Sequence, residues 1–419
     1  MSNSIADNMY KWAKDLFPIC RSILGPGVRE TLYYLKKLLP NLKIHEVPSG
    51  TKAFDWTVPQ EWIVKKAFIE DNNGNKIIDF NKNNLHLMGY SEPIDRWIEL
   101  SELDNHLYSL PDQPTAIPYI TSYYKRTWGF CLSHNQRKKL NNDSYHVVID
   151  SELKDGVLNY GELIIEGESK EEVILSTYIC HPSMANNELS GPVVTTHISQ
   201  WLMSLNNLRY TYRILFIPET IGSIVYLSKN LDHLKKYTKA GLVLTCLGDD
   251  RNYSLLTSKS GDTYIDKISK YVFNKYLDNY TQYSYLERGS DERQFCWPGV
   301  DLPFCSIMRS KYEEYDEYHT SLDDLSFISP NGLAGGANVV KKIIEILEIN
   351  KVYQSNTICE PMLSKYNLYP TISSKNKKQY ESSGLILDIL AYSDGKNDLL
   401  TIAELLKEDI FKVQNLVQI

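Results

Sequence analysis

The chain lacks three features that would each assign it to a broad class. No CxxC pair occurs among its seven cysteines, which is typical of unpaired thiols in a reducing compartment. No apolar run approaches the roughly 20 residues that a membrane span needs, and residues 1–18 predict an amphipathic helix rather than a signal peptide. Basic residues are not in excess, since the net charge is −7. We therefore expect a cytoplasmic protein with no membrane segment that is not a dedicated nucleic-acid binder.

Length and composition favour several folded domains. The chain has 419 residues, of which 42% are hydrophobic and 11% aromatic, enough for two or three packed cores. Residues 4–39 predict two helices that the turn Gly25-Pro26-Gly27 separates. Residues 46–136 are rich in prolines, turns and aromatic side chains, which predicts a small β-rich inserted domain. We interpret its aromatic residues, which include Tyr119 and Tyr123, as core packing rather than as a ligand platform.

Strands and helices alternate regularly from Tyr145 onwards. The predicted strands cover 147–149, 161–165, 173–178, 210–217, 241–247, 253–257 and 300–308. The predicted helices cover 192–205, a segment from Ile221, 263–276 and a closing helix that Ser329 caps. This alternation predicts an α/β fold, a mostly parallel sheet with helices on both faces.

The last part of the chain differs from the α/β region in its pattern of predicted elements. A polar linker follows residue 348 and includes the run 373–378, and three short helices are predicted at 385–392, 399–407 and 410–417. Helix-turn-helix modules have this pattern. Because these helices carry more acidic than basic residues, a protein-interaction module is favoured over a DNA reader.

Polar side chains follow four predicted strands at their carboxyl ends, where open α/β sheets bind ligands. They are His181, Glu219, Asp249 with Asp250, and Tyr318 with His319. Two imidazoles and several carboxylates form a nitrogen and oxygen ligand set that suits zinc. Cys180 precedes His181 and is expected on the opposite face of an extended strand, in the core.

Several sequence motifs occur in an order that resembles the co-catalytic zinc exopeptidase fold. They are HPS with ANNELSG, PETIGS, CLGDD, SDERQF and YHTSLDD. Together with VPQEW, IPYITSYY and WGFCLS, they resemble more closely a bacterial family of aminopeptidase-like proteins from polysaccharide-biosynthesis loci. This family carries an inserted domain and a C-terminal winged helix. The resemblance implies an aminopeptidase-like α/β domain at 1–45 and 137–350, an insertion at 46–136, and a linker with a winged-helix-like module at 351–419.

The resemblance also implies a metal site. His181 and His319 would be zinc ligands, and Asp249 a further ligand, with Asp250 as its competitor. Asn187 or Glu188 falls where the aminopeptidases place an aspartate that bridges two zinc ions. Glu219 falls where they place two adjacent glutamates, a base and a ligand, and this chain has only one. The sequence therefore leaves open one or two zinc ions, with Glu188 taking over one role or the site holding a single metal.

Further roles follow from the same resemblance. Glu219 would carry the proton in catalysis, with Glu188 as the second choice. Ser290, Asp291 and Arg293 would lie beside the site and contact substrate. A structural ion pair between Arg293 and a neighbouring glutamate is an equally supported interpretation. Tyr318 would stabilise an oxyanion or pack behind the site. Asp323 and Asp324 are interpreted as caps for the following segment.

Three functions stay open at this point. The first is a zinc-dependent hydrolase of amide bonds in a small molecule or peptide, aminopeptidase-like, in surface-polysaccharide biosynthesis. The second is a binding or scaffold protein on a degraded peptidase fold, which recruits protein partners through the C-terminal module. The third is a DNA-binding regulator. The sequence also leaves open a homo-oligomer.

Overall fold

The computed structural model describes residues 3–141, 143–368 and 377–418, which form two compact units, Met1–Lys341 and Lys342–Ile419. The strands are β1 Lys43–Pro48, β2 Lys52–Ala53, β3 Trp56–Thr57, β4 Glu61–Glu70, β5 Lys76–Asp79, β6 Ile94–Glu99, β7 Leu107–Tyr108, β8 Phe130–Cys131, β9 Ser144–Lys154, β10 Val157–Ile165, β11 Glu172–Tyr178, β12 Thr211–Ile217, β13 Thr238–Leu244, β14 Ser254–Leu256, β15 Thr281–Tyr283, β16 Phe304–Met308, β17 Val352–Gln354 and β18 Asp394–Asp398. The helices are α1 Asn3–Leu16, α2 Pro26–Leu38, α3 Leu100–Leu103, α4 His134–Arg137, α5 Ser190–Met203, α6 Ile221–Tyr237, α7 Tyr264–Tyr276, α8 Glu292–Phe295, α9 Pro330–Ile349, α10 Lys377–Tyr392, α11 Leu399–Leu406 and α12 Ile410–Val417.

A large mixed sheet organises the first unit, with strand order β1-β10-β12-β11-β13-β16-β14-β15. Its central strands β12, β11, β13 and β16 are parallel, and β1, β10 and β14 add antiparallel pairs towards the edges. Strand β11 is buried at every residue, as its unbroken apolar run requires when helices such as α5 pack on the sheet. The predicted α/β fold with a mostly parallel sheet is confirmed.

A small antiparallel sheet, β5-β4-β9-β6, packs against the large one. The prediction that 147–149 belongs to the α/β sheet is wrong, because this segment lies in β9 and pairs with β4 and β6. A short apolar run does not reveal its partner, and β4 lies some 80 residues upstream. The small sheet therefore extends past residue 136, where the inserted domain was expected to end. Trp62 of β4 and Ile217 of β12 share one apolar core.

The second unit contains a short β-ladder and three helices. Strand β17 pairs antiparallel with β18, and α11 and α12 begin at the capping residues Asp398 and Asp409. The predicted helices at 399–407 and 410–417 are confirmed by α11 and α12, and 385–392 lies within α10. Residues 373–376 of the predicted linker run lie outside the described residues. Within the described ranges, no helix is both long and apolar enough to cross a membrane.

Candidate active site

His181 lies three residues beyond the end of β11, and protein contacts fix one of its two ring nitrogens. Its Nδ1 lies 2.9 Å from Oε2 of Glu188. Arg21 donates from Nε to the His181 carbonyl oxygen at 2.8 Å. The ring is nearly buried, and its Nε2 faces Oε2 of Glu219 at 3.6 Å. Glu188 therefore orients the imidazole so that Nε2 points towards Glu219.

Glu188 lies in a π-helical turn, Ala185–Leu189, that leads into α5. Asp323 holds this turn, because its two carboxylate oxygens accept hydrogen bonds from the backbone N–H groups of Asn186 and Asn187, at 2.6 and 2.9 Å. Arg21 Nε lies 3.3 Å from Oε1 of Glu188, and both side chains are fully buried. A buried carboxylate needs such a cation, since an uncompensated charge in the interior costs several kcal/mol.

Glu219 follows β12 and faces the same space as His181. Its Oε1 accepts a hydrogen bond from Ser290 Oγ at 2.7 Å. Burial raises the pKa of Glu219, and the nearby His181 opposes that rise. Behind it, Asp291 accepts from the Thr220 N–H and the Ser223 hydroxyl. Burial and the charge of Glu219 raise the pKa of Asp291 to about 7.

His319 stands opposite His181, with ring centroids 5.6 Å apart. Its backbone adopts a positive φ of 54°, which is rare for a residue with a side chain. The ring of Tyr318 stacks on it at 3.9 Å, and Tyr119 contacts both histidines edge-on. Burial and the charge of His181 lower the pKa of His319 to about 3. Burial also lowers the pKa of His181, but Cys180 and Glu188 outweigh it, and the net result is a pKa well above the usual range.

These groups surround one cavity of about 460 Å³, which we call the histidine cavity. Cys180, His181, Glu219 and His319 line it from the large sheet. Tyr119 and Tyr123, whose hydroxyls lie 3.1 Å apart, line it from the segment between β7 and β8. The cavity thus combines two imidazoles, a carboxylate and two phenols, a set that can bind a cation and donate hydrogen bonds to a substrate carbonyl.

The structure does not bring Asp249 to this cavity. Both of its oxygens are occupied, Oδ1 by the Arg251 N–H and the Ser310 hydroxyl, Oδ2 by the Asn186 amide and the Ser310 N–H. Its competitor Asp250 accepts from Ser329 and Asn331. Asp249 therefore has no free carboxylate edge for a metal and instead fixes the turn that carries Glu188. Asp250 is exposed and does not line the histidine cavity.

Other predicted site residues have mixed outcomes. Asn187 donates from Nδ2 to the Tyr178 hydroxyl at 2.9 Å, and its Oδ1 has no partner among the described residues. Tyr318 packs on His319 and does not line the histidine cavity. Arg293 lines the cavity and donates to the Thr220 hydroxyl at 2.6 Å. The interpretation of Asp323 as a cap of the following segment is wrong, because it braces the turn at Asn186 and Asn187.

Sequence reasoning missed several contributors. Arg21 is 160 residues from His181, and no local pattern links them. Cys180 was expected on the opposite face, but its Sγ lies 3.7 Å from His181 Nδ1 and accepts from the Glu219 N–H. The strand ends at Tyr178, so side-chain alternation no longer applies at Cys180. The concentration of aromatic residues in their segment could have identified Tyr119 and Tyr123 as part of a ligand site, but that concentration is more often a sign of core packing.

Among the described residues, Cys180, His181 and Glu188 are the group whose possible ligand atoms all lie within 4.8 Å of one another. His319 and Glu219 line the same cavity as His181, and these residue types suit zinc. Two imidazoles bound to a shared zinc through bonds of about 2.0–2.1 Å place their ring centroids roughly 5–6 Å apart, and His181 and His319 have this spacing. The Nε2 of His181 faces the cavity, while its Nδ1 contacts Glu188, as a carboxylate beside a metal-binding histidine does. The two histidines are candidates to hold the ion, and Glu219 lies beside them in the same cavity.

Comparisons with known proteins place the chain in a family. Residues 10–350 match the family described as Domain of unknown function (DUF4910), and residues 351–419 match a winged helix-turn-helix family. The chain is 46% identical over 403 residues to a Clostridium acetobutylicum protein named as a polysaccharide biosynthesis protein with an aminopeptidase-like domain, covering 96% of this chain and 92% of that protein.

Solved structures with a similar fold include two from named bacteria. A crystal structure of a protein described as a peptidase, also from Clostridium acetobutylicum, matches with a TM-score of 0.92 and 44% identity, covering 100% of this chain and 95% of that one. The zinc aminopeptidase BSAP from Bacillus subtilis matches with a TM-score of 0.58 and 12% identity, covering 82% of this chain and 94% of that one. At that identity the second match shows a shared fold and no more.

Proposed function

Because the chain belongs to the DUF4910 family and has an aminopeptidase-like fold followed by a winged helix-turn-helix module, we propose that it is a zinc-dependent hydrolase of amide bonds. The observation that carries this proposal is the histidine cavity, which His181, Glu219 and His319 line together, with His181 Nε2 3.6 Å from Glu219 Oε2. The relative's name supports a role in polysaccharide biosynthesis, and we propose a cytoplasmic protein that acts on a small molecule or peptide.

His181 and His319 would hold the metal, with Glu219 beside them. When bound, zinc lowers the pKa of water from 15.7 to about 7 and polarises a carbonyl group. We propose one ion rather than two. The guanidinium of Arg21 lies 3.3 Å from Glu188 and already balances its negative charge, so Glu188 does not need a second metal ion. Asn187 brings a neutral amide and Asp249 has no free oxygen, so a second ligand set is not assembled.

Glu219 would carry the proton from the attacking water to the leaving amine. It is the one carboxylate among the described residues that line the histidine cavity, and Ser290 fixes one of its oxygens so that the other faces His181. Glu188 is fully buried and does not line the histidine cavity, so we assign it to orienting His181. The hydroxyls of Tyr119 and Tyr123 would stabilise the developing oxyanion in place of Tyr318.

The test is a screen of amide substrates, including aminoacyl amides and N-acylated sugars, with zinc-loaded wild type and Glu219→Gln. The variant keeps the shape of the side chain and removes its basicity. We expect a loss of kcat of about 10²–10⁴-fold with zinc content unchanged. Equal activity of the two proteins would contradict the role of Glu219, and loss of zinc with the substitution would reassign it as a ligand. Lys154→Gln, on the exposed end of β9, is the matched control.

A further inference from the structure

A second cavity, of about 520 Å³, adjoins the histidine cavity, and we call it the aromatic cavity. Trp56, Arg293 and Gln294 line both, so the two spaces are direct neighbours. Apolar side chains of α6, Ile224 and Leu227 among them, form its floor. A substrate with its scissile bond beside His181 would therefore have room to extend into the aromatic cavity.

Two exposed aromatic rings border this space. Phe54 lies in the two-residue connection between β2 and β3, is 60% exposed and has a φ of 54°. A turn at such a φ is usually filled by glycine or asparagine, because a side chain there is strained. Trp297 is 55% exposed on the facing side. An exposed aromatic residue with a strained backbone, such as Phe54, and a second exposed ring at the same cavity rim favour ligand contact over packing.

Two arginines in the wall have unused donors. Neither Arg288 nor Arg293 forms an ion pair among the residues that the structure describes. Arg288 donates to the Tyr285 carbonyl at 3.2 Å, and Arg293 donates to Thr220 while its Nε has no partner. A guanidinium fork fits a carboxylate or phosphate through paired hydrogen bonds. The cavity therefore offers an anion site beside apolar ring faces.

We propose that the aromatic cavity binds a sugar ring that carries an acidic group, a carboxylate or a phosphate, as part of the substrate. Phe54 and Trp297 would pack on the apolar faces of the ring, Asp55 and Gln294 would bond its hydroxyls, and the arginines would bind the acid. An aromatic peptide residue would use the apolar wall but leave Asp55 and Gln294 without partners. The proposal rests on the proposed function for the position of the amide bond, but binding is measurable without hydrolysis.

Isothermal titration of wild type with three sugars tests the proposal: methyl β-D-glucuronide, glucose 6-phosphate and the neutral methyl β-D-glucoside. The dipeptide Gly-Phe is titrated as the peptide comparison. We expect at least one acidic sugar to bind roughly tenfold or more tightly than the neutral glucoside, the effect of a charge-assisted hydrogen bond. The acidic sugar that binds more tightly shows whether the site prefers a carboxylate or a phosphate. Arg288→Met should abolish the preference, Arg288→Lys should keep part of it, and Trp297→Ala should weaken all three by roughly tenfold.

Trp97→Ala is the matched control, because Trp97 is 52% exposed in β6 and does not line either cavity. It should leave all three affinities unchanged. Equal affinity for the acidic and neutral sugars, or tighter binding of the dipeptide Gly-Phe than of either acidic sugar, would overturn the inference. Binding of acidic sugar without hydrolysis of any amide would leave this inference standing and count against the proposed function alone.

Discussion

Two buried arginines lie at opposite ends of the large sheet, and only one of them is fully paired. Arg213, near the start of β12, forms two hydrogen bonds of 2.7 Å with Glu172 and a third of 3.0 Å with the Tyr226 hydroxyl. Arg21, beside His181 at the carboxyl end of β11, donates to two backbone carbonyls, and its second terminal nitrogen has no partner among the described residues. Its carboxylate partner Glu188 has an oxygen without a hydrogen bond.

The difference separates a structural ion pair from a functional one. Folded proteins pair nearly all of their buried polar groups, so a complete cluster such as that of Arg213 indicates stabilisation. A buried polar group without a partner calls for another explanation, such as a catalytic role or a bound ion. Arg21, Glu188 and His181 form an incomplete cluster, beside a cavity at the ligand-binding end of the sheet. The predictions below test whether the two ends of the sheet respond differently.

The largest effect is expected for the fully paired Arg213, near the start of β12. Arg213→Met leaves the buried Glu172 with the half-exposed His233 as its remaining partner, 2.7 Å away, so the free energy of unfolding should fall by about 2–4 kcal/mol, somewhat less than for a fully unpaired carboxylate. Urea unfolding followed by circular dichroism measures it. The zinc content of the folded variant should equal that of wild type, because Arg213 is remote from the histidine cavity. A loss below about 1 kcal/mol, or loss of zinc, would contradict the assignment of this end as purely structural.

An intermediate effect is expected for the incompletely paired cluster of Arg21, Glu188 and His181. Glu188→Gln keeps the size of the side chain but weakens its hold on His181 Nδ1, and zinc affinity should fall by about 10–100-fold. Competition with a chromophoric chelator measures the affinity. Glu162→Gln is the control, since Glu162 bonds Arg213 at the other end and should leave zinc affinity unchanged. Unchanged affinity in Glu188→Gln would remove the link between this carboxylate and the metal.

The smallest effect is expected at an ion-pair cluster nearer the surface, on the small sheet. Hydrogen bonds to Glu70 and Asp95, 2.7 Å each, raise the pKa of His146. A raised folded pKa gives stability that is complete below the unfolded value of about 6.5 and is lost as pH rises through the folded value. Because solvent screens these side chains, His146→Gln should cost less than about 1 kcal/mol at pH 5. It should cost nothing near pH 9. A loss that is equal at both pH values would show that packing, not charge, is responsible.

The sequence predicted what depends on local pattern and chain order. The apolar run of β11 and the positions of His181, Glu219 and His319 after their strands are local features, and the structure brings these three residues to one cavity. The ladder of β17 with β18 and the placement of β9 in the small sheet depend on distant partners, and they were missed.

The same limit applies to the site's supporting residues. Arg21 reaches His181 across 160 residues, and Asp323 reaches Asn186 across 137, so neither contact leaves a periodic trace in the sequence. The expectation for Asp249 came from the order of motifs, and hydrogen bonds within the fold overrule it. Motif order thus located the site, whereas the ligand count depends on side-chain contacts that only the folded chain forms.

The zinc content of the purified protein, measured by elemental mass spectrometry on wild type, His181→Ala and His319→Ala, tests the central claim most directly. We predict about one zinc ion per chain in wild type and none in either variant, because each substitution removes one of the two imidazoles of the site. His146→Gln, which removes a histidine far from the cavity, should keep the wild-type content. Wild-type protein that holds no stoichiometric zinc, even after zinc is added back, would contradict the hydrolase proposal and favour a binding protein on a peptidase fold.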